Sequence, residues 1–252
     1  MTKRTLIVAL AVALALIGTG CNSSSSATPD APVVSKQATN DGGTLNLSWD
    51  AVEGATSYEI TAGASVDTTD STSFDVTTPA ATIEVRSVNG NKKSDPFTVD
   101  CKIVESTVEF FGDVDLTHPN GFGFGGDGSV VGCTLSYPSN AGMDFYADSS
   151  NTAGVMKLVV AKLNQDRVGD AIKSASGSYD GITIADPLGT YSGSWLAITV
   201  DSTYYLRMSA DTSATWSTEN NFAKANVVSI EGDKVTLKTA YQKIGGLRWL
   251  AK

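Results

Sequence analysis

The chain has 252 residues, 41 % hydrophobic and 18 % charged, a balance that excludes a disordered polymer and leaves room for one or two globular domains. Its formal net charge is −9. No basic stripe interrupts that acidity, which excludes nucleic acid as a partner, because affinity for DNA or RNA comes largely from Lys and Arg neutralising phosphates.

The amino terminus reads as an address. Lys3 and Arg4 form a positive start, Thr5 to Ile17 is an uncharged apolar run, and the small residues Gly18, Thr19 and Gly20 follow. This is the three-part pattern of a secretory signal, too short for a comfortable membrane span. Next come Cys21, Asn22, four serines and Ala27-Thr28-Pro29. The ensemble resembles the bacterial lipoprotein signal, with Gly18 standing where that family usually has Leu. The resemblance implies a signal peptide over residues 1–20, lipid on Cys21 and a Ser-rich tether over 21–29. It places the mature chain in the cell envelope as a membrane-held lipoprotein, and Asn22, not being Asp, leans towards the outer membrane. Each methylene of an acyl chain contributes roughly 0.8 kcal/mol on insertion, and two or more chains make the anchor durable. Losing residues 1–20 removes Lys3 and Arg4 and makes the mature body more acidic, at −11.

Two cysteines remain, Cys101 and Cys133. An even pair in an oxidising compartment predicts a disulfide, for which chain entropy gives about 3.7 kcal/mol.

Residues 30–100 carry strand patterns. Thr44 to Trp49 alternates, with Leu45, Leu47 and Trp49 on one face; Tyr58-Glu59-Ile60 begins another strand; Thr82 to Val88 alternates again, with Ile83, Val85 and Val88 expected inward. Asn89-Gly90-Asn91 is a turn signal. The run Pro29-x-x-Pro32, Leu47-Ser48-Trp49-Asp50-x-Val52-x-Gly54-Ala55-x-x-Tyr58-Glu59-Ile60 and Val85-Arg86-Ser87-Val88-Asn89-Gly90 resembles a fibronectin type III domain. That resemblance implies Trp49 in a core between two sheets, Tyr58 opening the next strand, and a spacing or presenting role.

Residues 101–252 read as a second β-rich domain of unknown ligand. Thr107 to Phe110, Gly128 to Val131, Leu158 to Val160 and Ile182 to Ile184 are strand candidates. Gln165 to Ser174, with Val168, Ala171 and Ile172 at helical spacing, predicts one short helix. Tyr204 to Met208, Ala223 to Ile230 and Lys234 to Tyr241 predict three consecutive antiparallel strands, with Glu231 to Lys234 as a turn. The segments Thr203-Tyr204-Tyr205-Leu206, Phe222-Ala223-Lys224, Ala240-Tyr241-Gln242-x-x-Gly245 and Met143 to Tyr146 resemble secreted β-proteins of the HmuY type, which implies a haem or small-ligand carrier. Paired-histidine haem ligation within one chain is excluded, because His118 is the single histidine.

Candidate chemistry is thin. Gly121 to Gly126 fits G-x-G-x-x-G in letters, but Asp127-Gly128 follows where a dinucleotide site needs a helix start, so a glycine-rich turn presenting Phe122 and Phe124, either into the core or as an exposed aromatic tip, is expected. There is no nucleophile elbow and no Cys/His cluster for zinc. No catalytic residue, metal or cofactor is assigned. Aromatic residues are the better clue: Tyr191, Trp195 and Trp216 are the candidate ligand-binding residues, because exposed flat rings stack on sugars, and Trp216 has the most loop-like neighbourhood. The expectation is an all-β, non-enzymatic binding or scaffolding lipoprotein whose partners are membrane lipid, through Cys21, and an unknown extracytoplasmic ligand. The alternatives are the haem or small-ligand carrier and a carbohydrate-binding accessory protein.

Overall fold

The structure, a computed structural model, describes residues 27–112, 117–134, 142–149, 155–161, 169–187, 191–209 and 215–252. The signal peptide, Cys21 and most of the tether lie outside the described residues, as does the first part of the expected helix. The regular structure of the described chain is nearly all strand, arranged in antiparallel sheets, as the alternating sequence predicts.

The amino-terminal sandwich is built from β1 (Val34–Thr39), β2 (Thr44–Trp49), β3 (Ser57–Ala62), β4 (Ser65–Thr69), β5 (Ser73–Val76), β6 (Thr82–Asn89), β7 (Lys92–Lys93) and β8 (Phe97–Asp100). One sheet has the order β1-β2-β5; the other has β4-β3-β6-β7, with β8 also on β6. Alternation puts Leu45, Leu47 and Trp49 of β2 into the core against Ile60, Ile83 and Val85. Trp49 meets Tyr58 edge to face with ring centroids 5.0 Å apart. The Tyr58 hydroxyl accepts from the Val52 amide at 2.9 Å, which ties down the β2–β3 connection. On β6 the inward position after Val85 is taken by Ser87, not Val88, because strict alternation continues; Ser87 is buried and Val88 half-buried.

The carboxy-terminal body is a second, larger sandwich. Its strands are β9 (Val104–Phe111), β10 (Gly121–Phe124), β11 (Val130–Cys133), β12 (Phe145–Asp148), β13 (Lys157–Val160), β14 (Ala171–Ser174), β15 (Trp195–Ala197), β16 (Thr203–Met208), β17 (Asn221–Glu231) and β18 (Lys234–Gln242). The sheets run β11-β10-β12-β13-β15 and β14-β16-β17-β18-β9. Phe110, Phe122, Phe145, Leu158, Leu206, Val235 and Leu237 fill the space between them. One edge is stitched, since Ser192 bridges to Ile172 of β14 while β15, three residues on, pairs with β13.

Two sequence expectations fail here. Ala171 to Ser174 is a strand, not the end of a helix: Ile172 and Ala171 are both buried, because β14 pairs with β16 between two packed layers. The glycine-rich Gly121 to Phe124 is also a strand, sitting between β11 and β12, with Phe122 and Phe124 in the core. Its glycines are steric necessities. A Cβ on Gly123 would come within 1.6 Å of the Gly142 carbonyl oxygen, and one on Gly121 within 2.5 Å of that of Phe145.

The β14–β18 sheet is covered on its second face as well. Ile182, Ala185 and Leu250 pack there against Tyr205 and Phe222, which is why all six residues of β16 are buried. Lys224 of β17 points into this layer, 1 % exposed, and donates to the carbonyls of Tyr179 at 2.7 Å and Ile182 at 2.8 Å. Burial pushes its amine down to about 8.

Candidate functional site

The two sandwiches meet along a seam built from residues far apart in sequence. Leu247 and Trp249 lie in the core of the amino-terminal sandwich, beside Leu45, Leu47 and Trp49. The turn that receives them is Asn40-Asp41-Gly42, three successive residues with φ of 48°, 53° and 78°. Asn, Asp and Gly are the residues that tolerate this left-handed region. The turn aims three carbonyls at segment 248–249. Arg248 Nε donates to Asp41 at 2.5 Å, the Arg248 amide to Gly42 at 3.0 Å, and Trp249 Nε1 to Gly43 at 3.2 Å.

Further bonds lock the seam into the carboxy-terminal body. Arg248 Nη1 donates to the Ala185 carbonyl, and the Ala185 amide donates back to the Arg248 carbonyl at 2.8 Å. Gln242, fully buried, donates from Nε2 to the carbonyls of Cys101 at 3.2 Å and Trp249 at 3.0 Å.

Trp216 is the key in this lock and not the exposed platform expected. Its indole N–H donates to the Gly246 carbonyl at 2.7 Å, and its ring packs against the cores on both sides of the seam. A Cβ on Gly42 would lie 2.9 Å from Trp216 Nε1, and one on Gly246 2.9 Å from Trp216 Cζ2. The loop-like neighbourhood of Trp216 is real, but the loop is pressed into the seam. Tyr191 is likewise half-buried, packed against the cluster of Ile182, Ala185, Tyr205, Phe222 and Leu250; its hydroxyl reaches the Asp186 carbonyl at 3.4 Å, and burial raises its pKa above the usual tyrosine value. Trp195 alone of the three is open, 48 % exposed on the edge strand β15, with Lys157 Nζ 4.8 Å from its ring centroid.

Cys101 and Cys133 are not joined. Cys101 is buried in the amino-terminal core at the end of β8, while Cys133 sits on the sheet-edge strand β11, its thiol directed at the carbonyls of Val131 and Gly142. Two cysteines placed on different sandwiches do not offer the close Cβ approach that a disulfide needs. Burial pushes the Cys101 thiol up to about 11. His118 lies tilted against Phe111 with centroids 4.7 Å apart, and its Nδ1 lies 2.8 Å from the Thr117 hydroxyl. Among the described residues no cluster of three His, Cys, Asp or Glu side chains is arranged to hold a metal ion. Asp127 accepts from the amide and hydroxyl of Ser129, at 2.9 and 2.6 Å, within its own turn.

Beside the seam a groove of about 560 Å³ opens to solvent. Its walls come from both sandwiches: Lys36, Gln37 and Ala38 of β1 with Asp100 on one side, Thr218 and Lys243–Gly245 on the other. Lys243 Nζ lies 3.4 Å from Asp100 Oδ2, and Lys36 Nζ lies 3.4 Å from the Asp100 carbonyl oxygen. Asp100 is held below the usual carboxylate range, chiefly by a hydrogen bond from the Lys102 amide, and Lys243 adds to the effect. No local motif flags Lys36, Asp100 or Lys243 in the sequence, because 143 positions separate the last two.

No family model and no curated protein matches the chain. Among solved structures, one described as FN3tt mut is 30 % identical, over 28 % of this chain and 90 % of that one, with a TM-score of 0.24. A chitinase from Bacillus thuringiensis is 14 % identical, over 88 % of this chain and 28 % of that one, with a TM-score of 0.27. The present chain thus spans little more than a quarter of that enzyme. The three-stranded sheet β1-β2-β5 facing β4-β3-β6-β7, with Trp49 and Tyr58 in contact between them, is the arrangement that the residues of this segment imply. The chain carries a fibronectin type III-like sandwich at its amino-terminal end.

Proposed function

We propose that this chain is a membrane-anchored lipoprotein of the cell envelope, held by acylated Cys21, and that it acts as a rigid binding or scaffolding module. The anchor rests on the sequence of residues 1–21. The scaffolding role rests on one observation: segment 246–250 belongs to the carboxy-terminal body and completes the core of the fibronectin-like sandwich. Sandwiches joined by a linker swivel, whereas these two share a buried Trp, a buried Arg and a left-handed turn shaped to receive them. A body mounted in this way keeps a fixed angle to the fibronectin-like sandwich. The groove beside the seam is its binding surface, since ligand clefts favour the meeting of two domains.

Cell fractionation and mass spectrometry test the anchor. The native chain is expected in the membrane fraction, shortened by residues 1–20 and heavier by acyl chains on Cys21; Cys21→Ala is expected in the soluble fraction. A full-length, unmodified chain in the cytoplasm would refute this reading. Limited proteolysis tests the scaffold, because a rigid block resists cleavage between residues 100 and 104.

A second reading, a carbohydrate-binding accessory role, draws on Trp195, whose ring is open to solvent on β15. A glycan array that stays blank for the native chain, or binding that survives Trp195→Ala unchanged, would remove it.

A further inference from the structure

We infer that the seam groove binds the anionic group of a small polar molecule, a carboxylate or a phosphate, between Lys36 and Lys243. The inference rests on the reading of this groove as the chain's binding surface and adds the chemistry of what it takes.

The volume, about 560 Å³, is that of a small-molecule cleft. Charge is the second observation. The chain as a whole is strongly acidic, yet this concavity holds two ammonium groups against one carboxylate. A local excess of positive charge inside an acidic surface draws anions to that point and repels them elsewhere.

The geometry leaves the two cations capacity. Each ammonium has three donors. Lys243 spends one on Asp100 Oδ2 and Lys36 one on the Asp100 carbonyl, both at 3.4 Å, the outer limit of a hydrogen bond. The Asp100 side chain is about half exposed, so this ion pair is weak and readily exchanged for a better acceptor. Asp100 therefore acts as a placeholder, keeping Lys243 turned into the groove until an anion arrives. Gln37, Ala38, Thr218 and Ile244 complete the lining with uncharged residues.

Calorimetry on the purified full chain tests this with three probes: trigalacturonate for a carboxylate source, glucose 6-phosphate for a phosphate source, and maltotriose as the neutral control. Binding of either anionic probe, at least about tenfold tighter than maltotriose, supports the site and names the source. Lys36→Gln with Lys243→Gln is expected to weaken that binding about tenfold or more, and Asp100→Asn to strengthen it about threefold. Lys92→Gln, which removes one charge from a strand outside the groove, is expected to change it less than twofold. Neither anion binding at millimolar concentration, maltotriose binding as well as both, or Lys92→Gln weakening binding as much as the double variant would each overturn the inference. None of these results bears on fractionation of Cys21→Ala, so failure here is separable from failure of the anchor.

Discussion

Arg248 Nε reaches the carbonyl oxygen of Asp41 at 2.5 Å, joining residues 207 positions apart across the line where the two sandwiches meet. The Arg248 backbone amide bonds the next carbonyl, Gly42, at 3.0 Å. One residue thus satisfies two carbonyls of a turn whose backbone is left-handed over three positions. Non-glycine residues in that region cost roughly 1–2 kcal/mol each, so the turn is worth keeping only where its partners are present.

Trp249→Ala is expected to destabilise the whole chain by about 3–5 kcal/mol, the cost of removing a fully buried indole. Because the ring lies in the amino-terminal core and its backbone in the carboxy-terminal body, one cooperative melt should shift as a unit. Two separated transitions in calorimetry would show that the seam does not couple the sandwiches.

Gly42 and Gly54 share a φ of 78°, but only Gly42 is crowded: its Cβ would lie 2.0 Å from the Gly246 carbonyl oxygen, while nothing approaches within 4 Å at Gly54. Gly54→Ala is expected to cost about 1 kcal/mol from backbone strain alone. Gly42→Ala should cost at least about 2 kcal/mol more, because the clash is with backbone. Urea midpoints for the pair measure the difference.

The thiols should be countable. Under native, non-reducing conditions Cys133 is expected to react with a thiol reagent first, and Cys101 only on unfolding. Mass spectrometry that finds the two oxidised to each other would contradict the separate placement of β8 and β11.

Cys101 also predicts a pH dependence. Its folded pKa, about 11, lies above the ordinary 9. Below pH 9 the thiol is protonated in both states and the full contribution is present. Between pH 9 and 11 the unfolded chain ionises first, so stability falls by about 2–3 kcal/mol relative to Cys101→Ala. Lys224 acts in the opposite sense: its folded pKa, about 8, lies below the ordinary 10.5, so stability rises from pH 8 to 10.5 relative to Lys224→Met. Denaturant titrations of the two variants beside the native chain separate the contributions.

Trp195→Ala is expected to change stability by less than about 0.5 kcal/mol, as befits an exposed edge position. Trp216→Phe loses the bond to the Gly246 carbonyl and should cost about 1–3 kcal/mol. Equal effects would mean that the two rings have similar surroundings.

The strands were legible wherever apolar residues alternate: Leu45, Leu47 and Trp49, then Ile83 and Val85, then the three long strands β16 to β18. Strand β4 escaped because Ser-Val-Asp-Thr-Thr is exposed or half-exposed on both faces and carries no alternation. Ala171 and Ile172 suggested a helix because small and apolar neighbours occur on any element buried on two sides. The candidate site was not legible. Trp216 looked like a loop residue and is one, but its exposure depends on Gly42 and Gly246, which only the fold brings to it. Lys36 and Lys243 stand 207 positions apart and carry no motif, and only the fold brings β1 and segment 243–245 to line one cleft.

The location of Trp249 also sets an order of events during synthesis. The fibronectin-like strands leave the ribosome about 150 to 215 residues before the ring that plugs their interior. Until then Leu45 and Leu47 border an unfilled gap, and any chain interrupted before residue 247 keeps it. Such fragments would offer proteases a loose front half, because the side chains that close that core are Leu247 and Trp249.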